Sequence, residues 1–163
     1  MNKTQKICFL GVLTALYVVL SAFLKFNLIG NIQIDLGYIV FAFALCEFGI
    51  YGTIVGVLGC TLESILFSAY GFSVSWAIAN LIIGVCCGLA FTVEKKMWLR
   101  ITVIILSAAA GVLVAKTLIE CYLYSIPFAV KITKNAVAFG VDATAMIIGL
   151  LIHDKYSKVI NLK

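Results

Sequence analysis

Residues Ile101–Tyr124 read ITVIILSAAAGVLVAKTLIECYLY, a run apolar enough to cross a lipid bilayer that nevertheless carries Lys116 and Glu120. At ~1.5 Å per residue it is roughly 36 Å long as a helix, which covers the ~30 Å hydrocarbon layer with some tilt. Lys116 then lies about 12 Å from the Tyr124 end, inside the apolar zone or at its edge. An ionisable group there costs roughly 2.5 kcal/mol or more against lipid, so it is expected to face protein, a partner or a water-filled cavity. The stretch therefore predicts a membrane helix that carries a functional site.

The whole chain agrees with that reading. Of its 163 residues 64% are hydrophobic and only 12% charged, with a mean hydropathy of +1.17. Soluble domains carry roughly 25% charged residues. Repeated apolar runs of about 20 residues favour helices over a barrel, whose strands would be ~10 residues of alternating polarity. The fold expected is all-α: one integral membrane domain over residues 1–163, a six-helix transmembrane bundle. The net charge of +5 reflects basic residues at the ends of apolar runs, which is topology rather than nucleic-acid binding. Cys8, Cys46, Cys60, Cys86, Cys87 and Cys121 show no C-x-x-C spacing, so packing is their expected role and no metal site is expected. Lys3 and Lys6 before an apolar run resemble a signal peptide, but without a small-residue cleavage site the run reads as a retained first helix.

In chain order the helices fall at about 4–24, 36–48, 53–67, 74–93, 101–124 and 129–152. Gly11 and Ala15 form a small-xxx-small pair on helix 1, which permits close helix approach either within the bundle or to a partner. Phe26–Asp35 reads as a polar loop, with alternation in NIQIDLGYI that also allows a short extended segment. Gly52, Gly56 and Gly59 make a second close-packing face. Glu94–Arg100 forms a basic turn, and Pro127 ends the fifth helix. Both termini share a side with Lys3, Lys6, Lys95, Lys96, Arg100, Lys155, Lys158 and Lys163, against Lys25, Lys131 and Lys134 opposite. Eight against three predicts N-in and C-in. Glu63, Tyr70, Trp76, Asn80, Lys116, Glu120 and Asn135 then gather in the outer half, where an external solute arrives.

Gly111–Thr117 imitates a phosphate-binding loop but has Ala110 and Ala115 where glycines are required, and it lies inside an apolar helix. No ATP site, cofactor or catalytic constellation is expected, and the chain does not read as an enzyme. His153 reads as a favourable charge at the end of helix 6. Lys116 and Glu120 are helical neighbours at i,i+4, which permits either a self-neutralising buried pair or a pair facing a polar solute. Asp142 is a third intramembrane charge, a pocket residue or a partner for Lys116 across the contact of helices 5 and 6. Lys131 and Lys134 sit where the dipole of helix 6 disfavours cations, which suggests a nearby anion or interfacial snorkelling.

The chain resembles the substrate-binding S components of energy-coupling factor (ECF) transporters, the vitamin-uptake class of ABC importers. The resemblance lies in the opening KTQKICFLGVLTALYVVLS, in Ile34-Asp35-Leu36-Gly37, in the Gly-rich junction Phe48–Gly56, and in the six-helix plan. At that junction Ile50 stands where the family often has proline, and Cys60 stands near an expected acid. The resemblance implies high-affinity capture of a vitamin or related micronutrient in a bacterial cell membrane, with tilting beside a transmembrane coupling subunit and energy from two partner ATPases. It implies docking of that subunit on Gly11 and Ala15, and a pocket built from helices 4 to 6 and the outer loops. Lys116, Glu120, Asn80 and Asn135, with Trp76 or Tyr70 for stacking and Asp142 and Glu63 nearby, are the expected solute contacts. The alternative is an autonomous proton-coupled secondary transporter using Asp142 or Glu63, and a third reading is a scaffold whose polar residues only pair with one another.

Overall fold

Backbone in hydrocarbon must satisfy its own N–H and C=O groups, so the apolar runs of this chain become helices. The structure, a computed structural model, describes residues 2–23, 26–28, 32–67 and 71–161. The expectations placed on Leu24, Lys25, Tyr70 and Lys163 lie outside these residues. Among the described residues five segments are long and apolar enough to cross a membrane: Lys3–Phe23, Gly37–Phe67, Val74–Val93, Met97–Tyr124 and Phe128–Val159.

The second segment is not one rod. Helix α1 is Lys3–Phe23, and after it α2 (Gly37–Phe48) and α3 (Thr53–Phe67) are joined by a 3-10 turn at Gly49–Gly52. Gly49 takes φ +58°, the left-handed region open to glycine, and the chain reverses there. A side chain at Gly52 would collide with the Ala44 carbonyl, and one at Gly56 with the Phe41 ring, so α3 runs back along α2. The spaced glycines are thus a helix contact inside the chain. Between α1 and α2, strands β1 (Phe26–Leu28) and β2 (Ile32–Ile34) pair antiparallel with Asn27 opposite Gln33. Part of the stretch expected as a loop is therefore extended, as its alternation allowed.

Helix α4 is Val74–Val93. The segment that contains the opening stretch begins earlier than expected, at Met97, and runs as α5 (Met97–Ala108), a π-helical stretch (Ala109–Lys116) and α6 (Thr117–Tyr124). Arg100 explains the early start: its Nε donates to the Glu94 carbonyl at 2.7 Å and its Nη2 to the Phe91 carbonyl at 3.1 Å, closing the C-terminus of α4. Ser125, at φ +52°, and Pro127 end α6. Helix α7 runs Phe128–Asn161. His153 is therefore within α7 rather than at its end, and its Nε2 lies 3.1 Å from Glu47 Oε2 of α2. In its polar last turns Lys158 and Asp154 pair at i,i+4, 2.6 Å apart.

Helix α2 is the centre of the bundle, packed against α1, α3, α4 and α7. Its Tyr38, Phe41 and Leu45 join Tyr17, Val55, Ile83, Ile104, Val112, Met146 and Leu150 in the core. Large apolar side chains such as Ile7, Phe23, Leu66, Val93 and Tyr122 point outward, the arrangement lipid requires.

Candidate functional site

The polar residues of the bundle collect toward the end where α2, α4 and α7 begin and α1, α3 and α6 finish. A cavity of about 80 Å³ lies there, lined by Tyr17, Asp35, Tyr38, Cys60, Glu63, Ser64, Trp76 and Asp142. Asp35 is fixed by the elements on either side of it. Its Oδ1 accepts from Ser21 Oγ at 2.5 Å and from the Gly37 N–H at 2.8 Å, and its Oδ2 accepts from the Tyr17 hydroxyl at 3.4 Å. Gly37 allows this, since any Cβ there would meet Ser21 Oγ and Asp35 Oδ1. Asp35 thereby satisfies an orphan N–H at the start of α2 and binds that start to α1. Tyr38, one residue further on, donates to Asn80 Oδ1 at 2.7 Å.

Asp142 is only 2% exposed, and its Oδ2 finds no hydrogen-bond partner. Of the two roles open to Asp142, pocket residue or partner of Lys116, the pairing does not form; Lys116 bonds to Asn135, which lies seven residues earlier on α7, roughly 10 Å along the axis. Glu63 is buried and lines the cavity from α3, and Trp76 lines it from α4.

Lys116 and Glu120 belong to a neighbouring cluster. Lys116 Nζ donates to Asn135 Oδ1 at 2.5 Å and lies 3.4 Å from Glu120 Oε1. Glu120 Oε2 receives Lys131 Nζ at 3.2 Å, and Ser75 Oγ donates to Glu120 Oε1 at 3.2 Å. Asn135 Nδ2 donates to Thr117 Oγ1 at 2.9 Å. The anion that the misplaced Lys131 called for is thus Glu120. Trp76 joins the two groups: it lines the cavity, and Lys116 Nζ lies 4.1 Å from its ring centroid, a cation–π contact.

Of the residues singled out by sequence, Glu63, Trp76 and Asp142 meet at the cavity, and Asn80 is buried behind Tyr38. Lys116, Glu120 and Asn135 meet one another instead. The cavity is also lined by Tyr17, Tyr38, Cys60 and Ser64, which the sequence does not single out as solute contacts, and by Asp35, which it marks as a loop residue within the Ile34–Gly37 motif. Two of these five carry a signal in the sequence, Tyr17 in the Tyr17/Ser21 pair at i,i+4 on α1 and Asp35 in the Ile34–Gly37 motif, whereas Tyr38, Cys60 and Ser64 lie in apolar runs with no pattern that marks them. Gly11 and Ala15 are exposed on α1, and nothing lies within 4 Å of a Cβ placed at Gly11, so they do not pack inside the bundle.

Comparison with known proteins gives a consistent result. The family described as ECF-type riboflavin transporter, S component, matches residues 1–158. Among solved structures, the S component for biotin from an ECF-type ABC transporter superposes with a TM-score of 0.70 at 18% identity, covering 97% of this chain and 95% of that one. FolT bound with folic acid superposes with a TM-score of 0.70 at 20% identity, covering 91% of this chain and 93% of that one. No curated protein matches the sequence.

Proposed function

This chain belongs to the family of ECF-type riboflavin transporter S components, and from that premise we propose where it binds its solute, how it lies in the membrane and where its partner docks. The protein is the capture subunit of an ECF importer for a vitamin or related micronutrient, working with a transmembrane coupling subunit and ATPase subunits. The solute enters the cavity between α1, α2, α3, α4 and α7. The observation that carries this placement is Asp142, buried, lining a cavity, with an unshared carboxyl oxygen. Glu63 supplies a further polar contact, Asn80 orients the Tyr38 hydroxyl from behind, Trp76 supplies a ring to stack on, and Lys116, itself fixed by Glu120 and Asn135, holds Trp76 from the side.

A cavity of about 80 Å³ is far below the ~300–1,000 Å³ of small-molecule sites, so capture requires it to widen. Riboflavin is the first solute to test, because the matching family is described by it. Mass spectrometry of ligand retained by the purified protein, followed by titration with that ligand, is the decisive experiment. An Asp142→Asn variant that folds and retains the same ligand with unchanged affinity would remove the cavity from consideration.

The chain crosses the bacterial plasma membrane six times, α2 and α3 counting separately, with both termini inside. The eight-to-three distribution of Lys and Arg supports this orientation. The coupling subunit docks on the exposed Gly11/Ala15 face of α1. Gly11→Leu combined with Ala15→Leu is expected to abolish uptake by the assembled transporter while leaving solute binding by the isolated subunit intact. Loss of binding in that variant would assign the pair to the fold instead.

A further inference from the structure

Capture requires the cavity to widen, and its walls are not equally free to move. We infer that Trp76 is a displaceable plug: a flat, neutral heteroaromatic solute turns it aside and takes its place between Tyr38 and Lys116, with a ring carbonyl on the Lys116 ammonium. This rests on the capture role and adds how the site opens and which protein group meets the solute behind the plug.

The lining itself singles out Trp76. Tyr17, Tyr38, Cys60, Glu63, Ser64 and Asp142 are all buried. Asp35 is less buried, but Ser21, Gly37 and Tyr17 pin its carboxylate. Trp76 is only half-buried, and its indole N–H has no hydrogen-bond partner among the described residues. A ring and a cation hold it instead: the Tyr38 ring, 6.4 Å away between centroids, and Lys116 Nζ, 4.1 Å from the indole centroid. The turn that carries it is anchored next door, where Ser75 Oγ donates to Glu120 Oε1 at 3.2 Å. The motion is therefore the rotation of one side chain on a fixed turn of α4. Trp76 is also the one described lining residue in contact with Lys116, so turning it aside joins the cavity to the Lys116 cluster.

Behind the plug stands a donor suited to a neutral acceptor. An ammonium has three N–H groups. Asn135 Oδ1 and Glu120 Oε1 engage two of those of Lys116, which leaves one for the indole face. A carbonyl oxygen in that place makes a directed, charge-assisted hydrogen bond, a better partner than a ring face. On the cavity side Asp142 Oδ2 is buried without a partner. With a carboxyl group at one edge and an ammonium at the other, the joined site suits a neutral ring with polar groups at both edges rather than an ion of either sign. The space vacated between Tyr38 and Lys116 is that of an indole, so the solute ring is flat.

Riboflavin, whose flat neutral ring system carries carbonyl groups, is the probe, and its own fluorescence reports association on rapid mixing with the purified protein. A plug that is closed most of the time lowers the association rate in proportion to the open fraction. Trp76→Ala is expected to raise the association rate constant about tenfold or more, and Trp76→Phe, which keeps a smaller ring in place, to raise it less. Lys116→Met frees the indole and removes the donor to the carbonyl, so it is expected to speed association and dissociation together. A second measurement keeps Trp76 itself, in case Trp76→Ala does not fold. Trp76 and Trp98 are the two tryptophans, so 5-fluorotryptophan in a Trp98→Phe background gives a single fluorine resonance, from Trp76. Riboflavin is expected to increase the relaxation of that resonance by a water-soluble gadolinium chelate, because the indole turns outward. A fixed wall covered by bound solute gives a decrease or no change. That result, an association rate constant unchanged or lowered by Trp76→Ala, or a dissociation rate unchanged by Lys116→Met would overturn the inference and leave the capture role standing. Absence of riboflavin binding to both the unmodified protein and Trp76→Ala would remove capture of a flavin, and the inference with it.

Discussion

Glu120 is the residue on which the lysine cluster depends: two lysines, Ser75 and Asn135 all converge on its carboxylate. Glu120→Gln leaves Lys116 and Lys131 close together without their anion. Removing one partner of a buried pair costs about 3–5 kcal/mol, whereas replacing both by apolar residues is often neutral. Unfolding in detergent is therefore expected to show a large loss of stability for Glu120→Gln and a smaller one for Lys116→Met combined with Glu120→Leu. Equal losses in the two variants would mean that the cluster is not a mutually dependent unit. Half of this cluster was legible in the sequence. The i,i+4 spacing of Lys116 and Glu120 shows that they meet, and two lysines at the positive end of a helix dipole ask for an anion. What spacing cannot give is the rotation of α7 about its axis, which brings Asn135 to Lys116 and leaves Asp142 for the cavity.

Elements explain the rest of what was hidden. A helix of uniform 3.6-residue period places every side chain of Ile101–Tyr124 by counting, but the π-helical stretch Ala109–Lys116 resets the count, and Thr117 Oγ1 reaches back to the Val112 carbonyl at 3.3 Å. The run of small residues Ser107–Gly111 marks the place. A Cβ at Gly111 would press on the Ala79 carbonyl and the Ile83 side chain, so the rod and α4 are in close contact here. Gly111→Val is expected to cost about 1–3 kcal/mol by overpacking. Gly140, which has open space around its Cβ position, is expected to tolerate alanine within about 0.5 kcal/mol. At the α2–α3 turn, Gly49→Ala forces a side chain into the left-handed region and toward the Thr92 methyl, with an expected cost of roughly 1–2 kcal/mol. Thermal unfolding of the three variants side by side checks all three expectations.

At the scale of the whole molecule, the sequence shows the membrane class, the helical runs and the side on which charge accumulates, because these follow from hydropathy and from the distribution of Lys and Arg. It also carries the motifs of the family. The position of the cavity is another matter, since five elements distant in sequence contribute to it and only their packing around α2 brings them together. A fluorescent protein fused after Lys163 tests the orientation: fluorescence is expected, whereas a dark fusion would place that end outside. The central hairpin has a consequence for how the chain is made. Helix α2 has twelve residues, about 18 Å of helix, and is buried on nearly every side, so it lacks both the length and the lipid-facing surface of an independent span. The expectation is that it settles in the bilayer only once α3 has folded back on it. Nascent chains halted with Phe48 just clear of the insertion machinery are expected to leave this segment extractable, and chains halted after Phe67 to hold it. Biogenesis of the protein would then proceed in paired steps rather than one helix at a time.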